Sequence, residues 1–286
     1  MVTKQEPNAR LFVLLGFVGA GKSTYLAAAY HIANTTKVSG SLQITASQRD
    51  LEYIETLHER WLSCRPLTRT SGQSPQVVTL DMKGPGGTAG TVRVPDVSGE
   101  ALINSLSDRR WDPDFDASIQ AANGLLVFVN PANVKEPVTW VEAQAWARAL
   151  GDGGEEGDGQ DSPKKPWSLA EASTAALLID LLEVVLSRNL RRPIPIVLIV
   201  SAWDLIADVD PQAWVDGHLP LLSHYLRNNP SLFRLALFGV SAQGGALPEK
   251  EAELQAMDDP ADRVRVVGGS GDPRDLTRPL QWLLTQ

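Results

Sequence analysis

The chain has 286 residues, 43% hydrophobic and 21% charged, so it can bury a sizeable core, and its formal charge of −8 excludes the clustered positive field of a nucleic-acid binder. The single cysteine, Cys64, excludes an internal disulfide framework and any cysteine-based zinc site, and fits a reducing cytoplasm. No stretch reaches the ~20 apolar residues of a membrane span, and the N-terminus has no cleavable leader, so the expectation is a soluble, cytoplasmic protein.

Residues 1–10 form a polar lead-in. The apolar run Leu11-Phe12-Val13-Leu14-Leu15 then reads as a buried strand, and Thr24-Tyr25-Leu26-Ala27-Ala28-Ala29 as the opening of a helix. Between them stands Gly16-Phe17-Val18-Gly19-Ala20-Gly21-Lys22-Ser23, a Gly-x-x-x-x-Gly-Lys-Ser phosphate loop in its proper strand–loop–helix setting. Gly16, Gly19 and Gly21 let backbone N–H groups approach phosphate oxygens without a Cβ in the way. Ala20, Ser23 and Thr24 belong to the same cradle at the positive end of the helix. Lys22 is placed to reach the β- and γ-phosphates, and the Ser23 hydroxyl to ligate Mg²⁺.

Residues 35–46 read as a Thr/Ser/Gly-rich loop. Leu51, Ile54, Leu57, Trp61 and Leu62 then recur at helical spacing, which predicts a helical insertion at 46–65. The loop Arg65-Pro66-Leu67-Thr68-Arg69-Thr70-Ser71-Gly72 precedes a strand. A threonine here is positioned to close over a γ-phosphate and ligate Mg²⁺; Thr70 and Thr68 are both candidates. Arg69 between them is a candidate for neutralising transition-state charge.

Residues 77–82 and 88–95 flank Lys83-Gly84-Pro85-Gly86-Gly87 and read as an antiparallel hairpin. The second strand runs into Asp96-Val97-Ser98-Gly99-Glu100. Asp96 would hold a Mg²⁺-bound water, and the Gly99 N–H would meet the γ-phosphate.

A helix is expected at 101–110, a doubly buried strand at 124–130, and a loop with a Trp/Ala-rich helix at 131–150. Residues 151–165 are a flexible acidic insert. Helical periodicity returns at 169–189. Ile194-Pro195-Ile196-Val197-Leu198-Ile199-Val200-Ser201 is the most hydrophobic strand, with Ala202-Trp203-Asp204 at its end. A helix follows at 211–228, then a last strand at 233–240 ending in Ser241-Ala242-Gln243-Gly244-Gly245. Residues 248–271 are polar and irregular, and a closing helix at 274–285 packs Leu276, Leu280, Leu283 and Leu284. The four histidines lack ligand spacing and read as structural or surface residues. Strands alternating with helices imply one α/β domain over 1–286: a doubly wound, mostly parallel sheet with one antiparallel hairpin strand, and ligands at the strands' carboxyl ends.

The order of these motifs resembles that of the translation-factor-class GTPases, the superclass that holds the Ras-like switches. The resemblance implies a small-GTPase-like fold and guanine nucleotide, GTP or GDP, with Mg²⁺. It implies that Asp204 accepts hydrogen bonds from the guanine N1–H and amine, and that Ser241-Ala242 offers a backbone N–H to the guanine carbonyl. In Ser201-Ala202-Trp203-Asp204 the aspartate of the family's Asn-Lys-x-Asp is kept and the asparagine and lysine are missing, so Trp203 or a residue elsewhere takes over stacking on the base. Glu100 stands where many of these enzymes carry a water-orienting glutamine, and Val18 where many carry glycine; both point to slow or partner-assisted hydrolysis. The insert, Arg69-Thr70 and the degenerate late motif look like the double-GTPase-type domains of bacterial conflict and defence systems. That likeness implies a molecular switch working on an effector or regulator protein, a second GTPase or a nucleotide-dependent homodimer. The alternatives are a P-loop ATPase or kinase, and a non-hydrolysing scaffold stabilised by bound nucleotide.

Overall fold

A computed structural model describes residues 10–35, 38, 40–48, 50–67, 77–84, 87–95, 99–137, 140–151, 168–206 and 208–286, with backbone alone at 95, 99, 100, 143, 146, 147 and 149–151. Its strands are β1 (Arg10–Leu15), β2 (Gln43–Ala46), β3 (Val77–Lys83), β4 (Ala89–Pro95), β5 (Gly124–Val129), β6 (Ile194–Val200), β7 (Phe233–Ser241) and β8 (Arg265–Val267). They form one eight-stranded sheet in the order β2-β3-β4-β1-β5-β6-β7-β8. Strands β4, β1, β5, β6 and β7 are parallel to one another. The expected hairpin pairs β3 with β4 antiparallel, from Val77↔Pro95 to Lys83↔Ala89.

Both faces of the sheet are covered. Phe12 and Leu14 of β1 point into one apolar cluster, shared with α1 (Lys22–Thr35), α2 (Leu51–Leu62) and α10 (Arg278–Leu284). Val13 and Leu15 point into the other, shared with α3 (Gly99–Asp108), α4 (Pro113–Ala121), α6 (Thr174–Arg188), α7 (Pro211–His218) and α8 (Pro220–Asn228). Every residue of β5 and β6 is buried, as a central strand between two helical layers requires. Helix α5 (Trp140–Gly151) instead presents exposed Trp140 and Val141. No helix among the described residues is long and apolar enough to cross a membrane.

The structure corrects several local expectations. Within the stretch read as a loop at 35–46, β2 pairs antiparallel with β3; its exposed–buried alternation is too short to stand out in the sequence. The stretch 248–271, read as irregular, holds α9 (Glu251–Gln255) and β8, which pairs antiparallel with β7. Helix α4 went unpredicted, although Asp112 caps it by accepting from the Asp114 and Phe115 N–H groups, with Pro113 opening the helix. The single helix expected at 211–228 is two, because Pro220 lacks the N–H to continue the first and suits the first turn of the second. The closing helix is shorter than expected, yet Leu276, Leu280, Leu283 and Leu284 are all buried. The acidic stretch falls outside the described residues beyond Gly151, as do Thr68, Arg69, Thr70 and Asp96.

Helix α2 docks on α1 through aromatic contacts. His31 Nδ1 and His58 Nε2 share a hydrogen bond of 2.9 Å, and the His31 ring lies 5.0 Å from that of Trp61. Burial pushes His31 from its ordinary 6.5 down to about 4, with His58 and Arg263 adding to the shift and Asp259 opposing it. Burial lowers His58 as well. Between pH 6.5 and about 4 the unfolded chain therefore takes up protons that the folded chain refuses. This stabilisation is complete above that window and is lost as pH falls through it. The melting temperature should drop across the window, and His31→Gln should flatten the drop; parallel pH profiles for the two chains would contradict the assignment.

Candidate functional site

The loop after β1 turns on two glycines. Gly19 has φ +69° and Gly21 φ +88°, values that side chains with a Cβ rarely adopt. Space imposes the same choice: a Cβ would lie 2.6 Å from Asn133 Nδ2 at Gly19 and 2.8 Å from Ser201 Oγ at Gly21. The Ala20 N–H closes the turn onto the Phe17 carbonyl at 3.2 Å. The Tyr25 N–H bonds back to the Gly21 carbonyl, so the N–H groups of the first turn of α1 face the loop. No acidic side chain stands in that first turn of the helix. The Lys22 ammonium folds over the loop and donates to the Gly16 carbonyl at 2.5 Å and the Phe17 carbonyl at 3.2 Å. Ser23 and Thr24 follow, both half-buried.

Two asparagines that sequence reasoning passed over hold this loop from the side. Asn130 and Asn133 lie in the turn after β5, and their Nδ2 groups donate to the Gly19 carbonyl at 2.9 and 3.2 Å. Asn130 works at both ends of its carboxamide, since its Oδ1 accepts from the Ala132 N–H and caps the short 3₁₀ turn Pro131–Asn133. The available signal was an Asn-Pro step at the carboxyl end of a strand, where ligands gather in parallel sheets.

At the end of β6 the Ser201 N–H and hydroxyl both donate to the Val129 carbonyl, at 2.8 and 3.3 Å. Ala202 then takes a left-handed conformation (φ 46°) and the chain enters a 3₁₀ turn, Trp203–Leu205. Trp203 points into the core, so it is not the base-stacking residue the sequence suggested. Its indole fills the space beside Gly239 of β7, where a Cβ would sit 2.2 Å from a ring carbon. The turn leaves Asp204 exposed, and its Oδ1 accepts from the Ser241 hydroxyl at 2.7 Å. Ser241 and Ala242 are themselves buried.

The tertiary structure thus brings the phosphate loop, Ser201, Asp204, Ser241 and Ala242 to the carboxyl ends of β1, β6 and β7. Gly99 and Glu100 are described by backbone only, opening α3. Among the described residues no group of three His, Cys, Asp or Glu could hold a metal. The half-buried Ser23 hydroxyl at the start of α1 is an oxygen donor of the type Mg²⁺ takes, an ion that keeps several waters and needs few protein ligands.

The family model for Double-GTPase 1 matches residues 13–283. No curated protein matches the chain. Similar solved structures include the bacterial selenocysteine-specific elongation factor EF-Sec (12% identity, TM-score 0.40), with 87% of this chain covering 28% of that one. The Arl6 BBS3 small GTPase from Trypanosoma brucei, with bound nucleotide analogue, is similar at 9% identity and TM-score 0.39, covering 87% of this chain and 95% of that one. The signal recognition particle receptor SRb-GTP/SRX complex from Chaetomium thermophilum is similar at 16% identity and TM-score 0.39, covering 87% and 97%. With such scores none of the three bears on the reading of individual residues.

Removing the asparagine brace should loosen the phosphate loop without unfolding the protein, because both side chains sit at the surface of the site. Asn130→Ala with Asn133→Ala should weaken nucleoside-diphosphate binding by roughly 5–30-fold, about one neutral hydrogen bond's worth per residue. Calorimetric titration checks this, and unchanged affinity would remove the brace from the site.

Proposed function

The chain belongs to the Double-GTPase 1 family, and on that premise we propose that it is a Mg²⁺-dependent GTP-binding switch with slow hydrolysis, reporting its nucleotide state to a partner protein. The observation that carries the reading is the convergence of a folded phosphate loop with the Asp204–Ser241 pair at the carboxyl end of the sheet.

Each described residue has a task that its geometry supports. The Lys22 ammonium exchanges the Gly16 and Phe17 carbonyls for β- and γ-phosphate oxygens, which are stronger, charged acceptors. The amides of Gly19, Ala20, Gly21 and the first turn of α1 surround the same phosphates. Ser23 joins the Mg²⁺ shell; the bound ion would neutralise phosphate charge. Asp204, held in rotamer by Ser241, accepts from the guanine N1–H and amine, and Ala242 supplies the backbone donor to the base carbonyl. We assign the remaining roles to Thr70 and Asp96 around the metal, Gly99 at the γ-phosphate, Glu100 in orienting water and Arg69 in balancing transition-state charge. A carboxylate at Glu100 repels the γ-phosphate and slows attack. The reading takes the chain as one nucleotide-binding domain with a helical insertion at 46–65 and an acidic insert at 151–165. Its partner is an effector or a second GTPase, in a setting such as bacterial defence.

Fluorescent GTP, GDP and ATP binding in Mg²⁺, followed by phosphate release over hours, tests the proposal. Guanine-selective binding with slow release is expected; ATP preference would overturn the base assignment, and no release at all would make the protein a nucleotide-bound scaffold. Lys22→Ala should reduce affinity by about 100-fold, the loss of a charge-assisted contact. Asp204→Asn should shift preference from GTP to xanthosine triphosphate, whose C2 carbonyl accepts from the new carboxamide; an unshifted preference would show that Asp204 does not read the base.

A further inference from the structure

Helix α2 reaches the base side of the site through one side chain. Trp61, near its C-terminus, is fully buried, and its indole N–H donates to the Ala242 carbonyl at 2.8 Å. The contact joins residues 181 positions apart. It is reinforced on the far side by Arg263, whose guanidinium lies 5.5 Å from the Trp61 ring centroid and donates to the Trp61 and Leu62 carbonyls at 3.3 Å each. Arg263 in turn abuts the glycine turn that ends the loop: a Cβ at Gly244 (φ +87°) would lie 2.7 Å from the Arg263 carbonyl oxygen. Gln255 adds a bond to the Ser63 carbonyl at 2.9 Å. The loop after β7 and the end of α2 are therefore one packed unit.

A trans peptide holds its carbonyl and the following N–H antiparallel. An indole that draws the Ala242 carbonyl inward therefore turns the Gln243 N–H to the opposite side and restrains the Ala242 N–H through the dihedrals between them. We infer that Trp61 is a positioning residue for base recognition: its N–H···O=C bond to Ala242 sets the direction of the backbone donors that meet the C6 carbonyl of guanine. The inference rests on the proposal that Asp204, Ser241 and Ala242 hold guanine. It assigns to α2, whose sequence shows only an amphipathic helix, a part in nucleotide specificity. Trp61 touches no nucleotide atom itself, so the effect must appear as a loss confined to ligands that carry the C6 oxygen.

The test uses the full chain with Trp61 replaced by 3-benzothienylalanine, which keeps the ring shape and has sulfur in place of the N–H, and in parallel Trp61→Phe. Affinities are measured for GTP and for 2-aminopurine riboside triphosphate, which lacks the C6 oxygen and with it the N1–H, together with melting temperatures; the comparison is the change that each substitution makes for each nucleotide. The isostere should bind GTP roughly 3–10-fold more weakly, the equivalent of one neutral hydrogen bond, and bind the 2-aminopurine nucleotide as the unmodified chain does. Trp61→Phe should show the same selective loss; if it does not fold, the isostere decides alone. Equal weakening of both nucleotides would reduce Trp61 to a core residue and overturn the inference, as would an unchanged GTP preference in the isostere. If the unmodified chain itself fails to prefer GTP over the 2-aminopurine nucleotide, the guanine reading falls first and this inference with it.

Discussion

The architecture of the site depends on the backbone passing through positive φ at Gly19 and Gly21 while pressed against the ends of two other strands. Positive φ at such positions suits a cradle of successive N–H groups, the means by which a chain of net negative charge would make a local anion site. The cradle exists only because its outer wall is fixed. Asn130 and Asn133 take the Gly19 carbonyl, Ser201 stands behind Gly21, and Ser201 is itself bonded to the end of β5. Parallel pairing of β1 with β5 and of β5 with β6 brings these three turns into register.

The turn after β6 is fixed by its backbone and by packing. Ser201 and a left-handed Ala202 stand where the resembled motif has asparagine and lysine, and the core-directed Trp203 fits because β7 offers glycine opposite it. Burial of that indole anchors the turn and leaves Asp204 at the surface with one oxygen occupied by Ser241. The turn thus spends its aromatic residue on rigidity. The tie to the phosphate loop comes from a different strand end altogether, through the two asparagines.

Helix α2 links α1 to the loop after β7. It hydrogen-bonds His58 to His31 of α1, which also carries Lys22, and bonds its tryptophan to the loop that follows β7. The loops after β1 and β7 are thus joined through the sheet and again through this helix.

The phosphate loop, the hairpin and the buried strands were legible in the sequence because each is a local pattern. Eight contiguous residues specify the loop, β6 is an unbroken apolar run, and Lys83-Gly84-Pro85-Gly86-Gly87 punctuates β3 and β4. Edge strands β2 and β8 were not legible, since four and three residues carry too little periodicity and form only where a neighbour offers free hydrogen-bonding groups. In the site, residue types pointed to Lys22 and the glycines as an anion loop, and the resemblance in motif order pointed to Asp204 together with Ser241-Ala242, which the structure joins by a hydrogen bond. Tertiary structure alone decided that Trp203 faces inward, that Asn130 and Asn133 clamp a carbonyl 111 and 114 residues away, and that Trp61 holds Ala242 across 181. A dihedral requirement is written in the residue that satisfies it, whereas a hydrogen bond between distant turns depends on where the sheet places both ends.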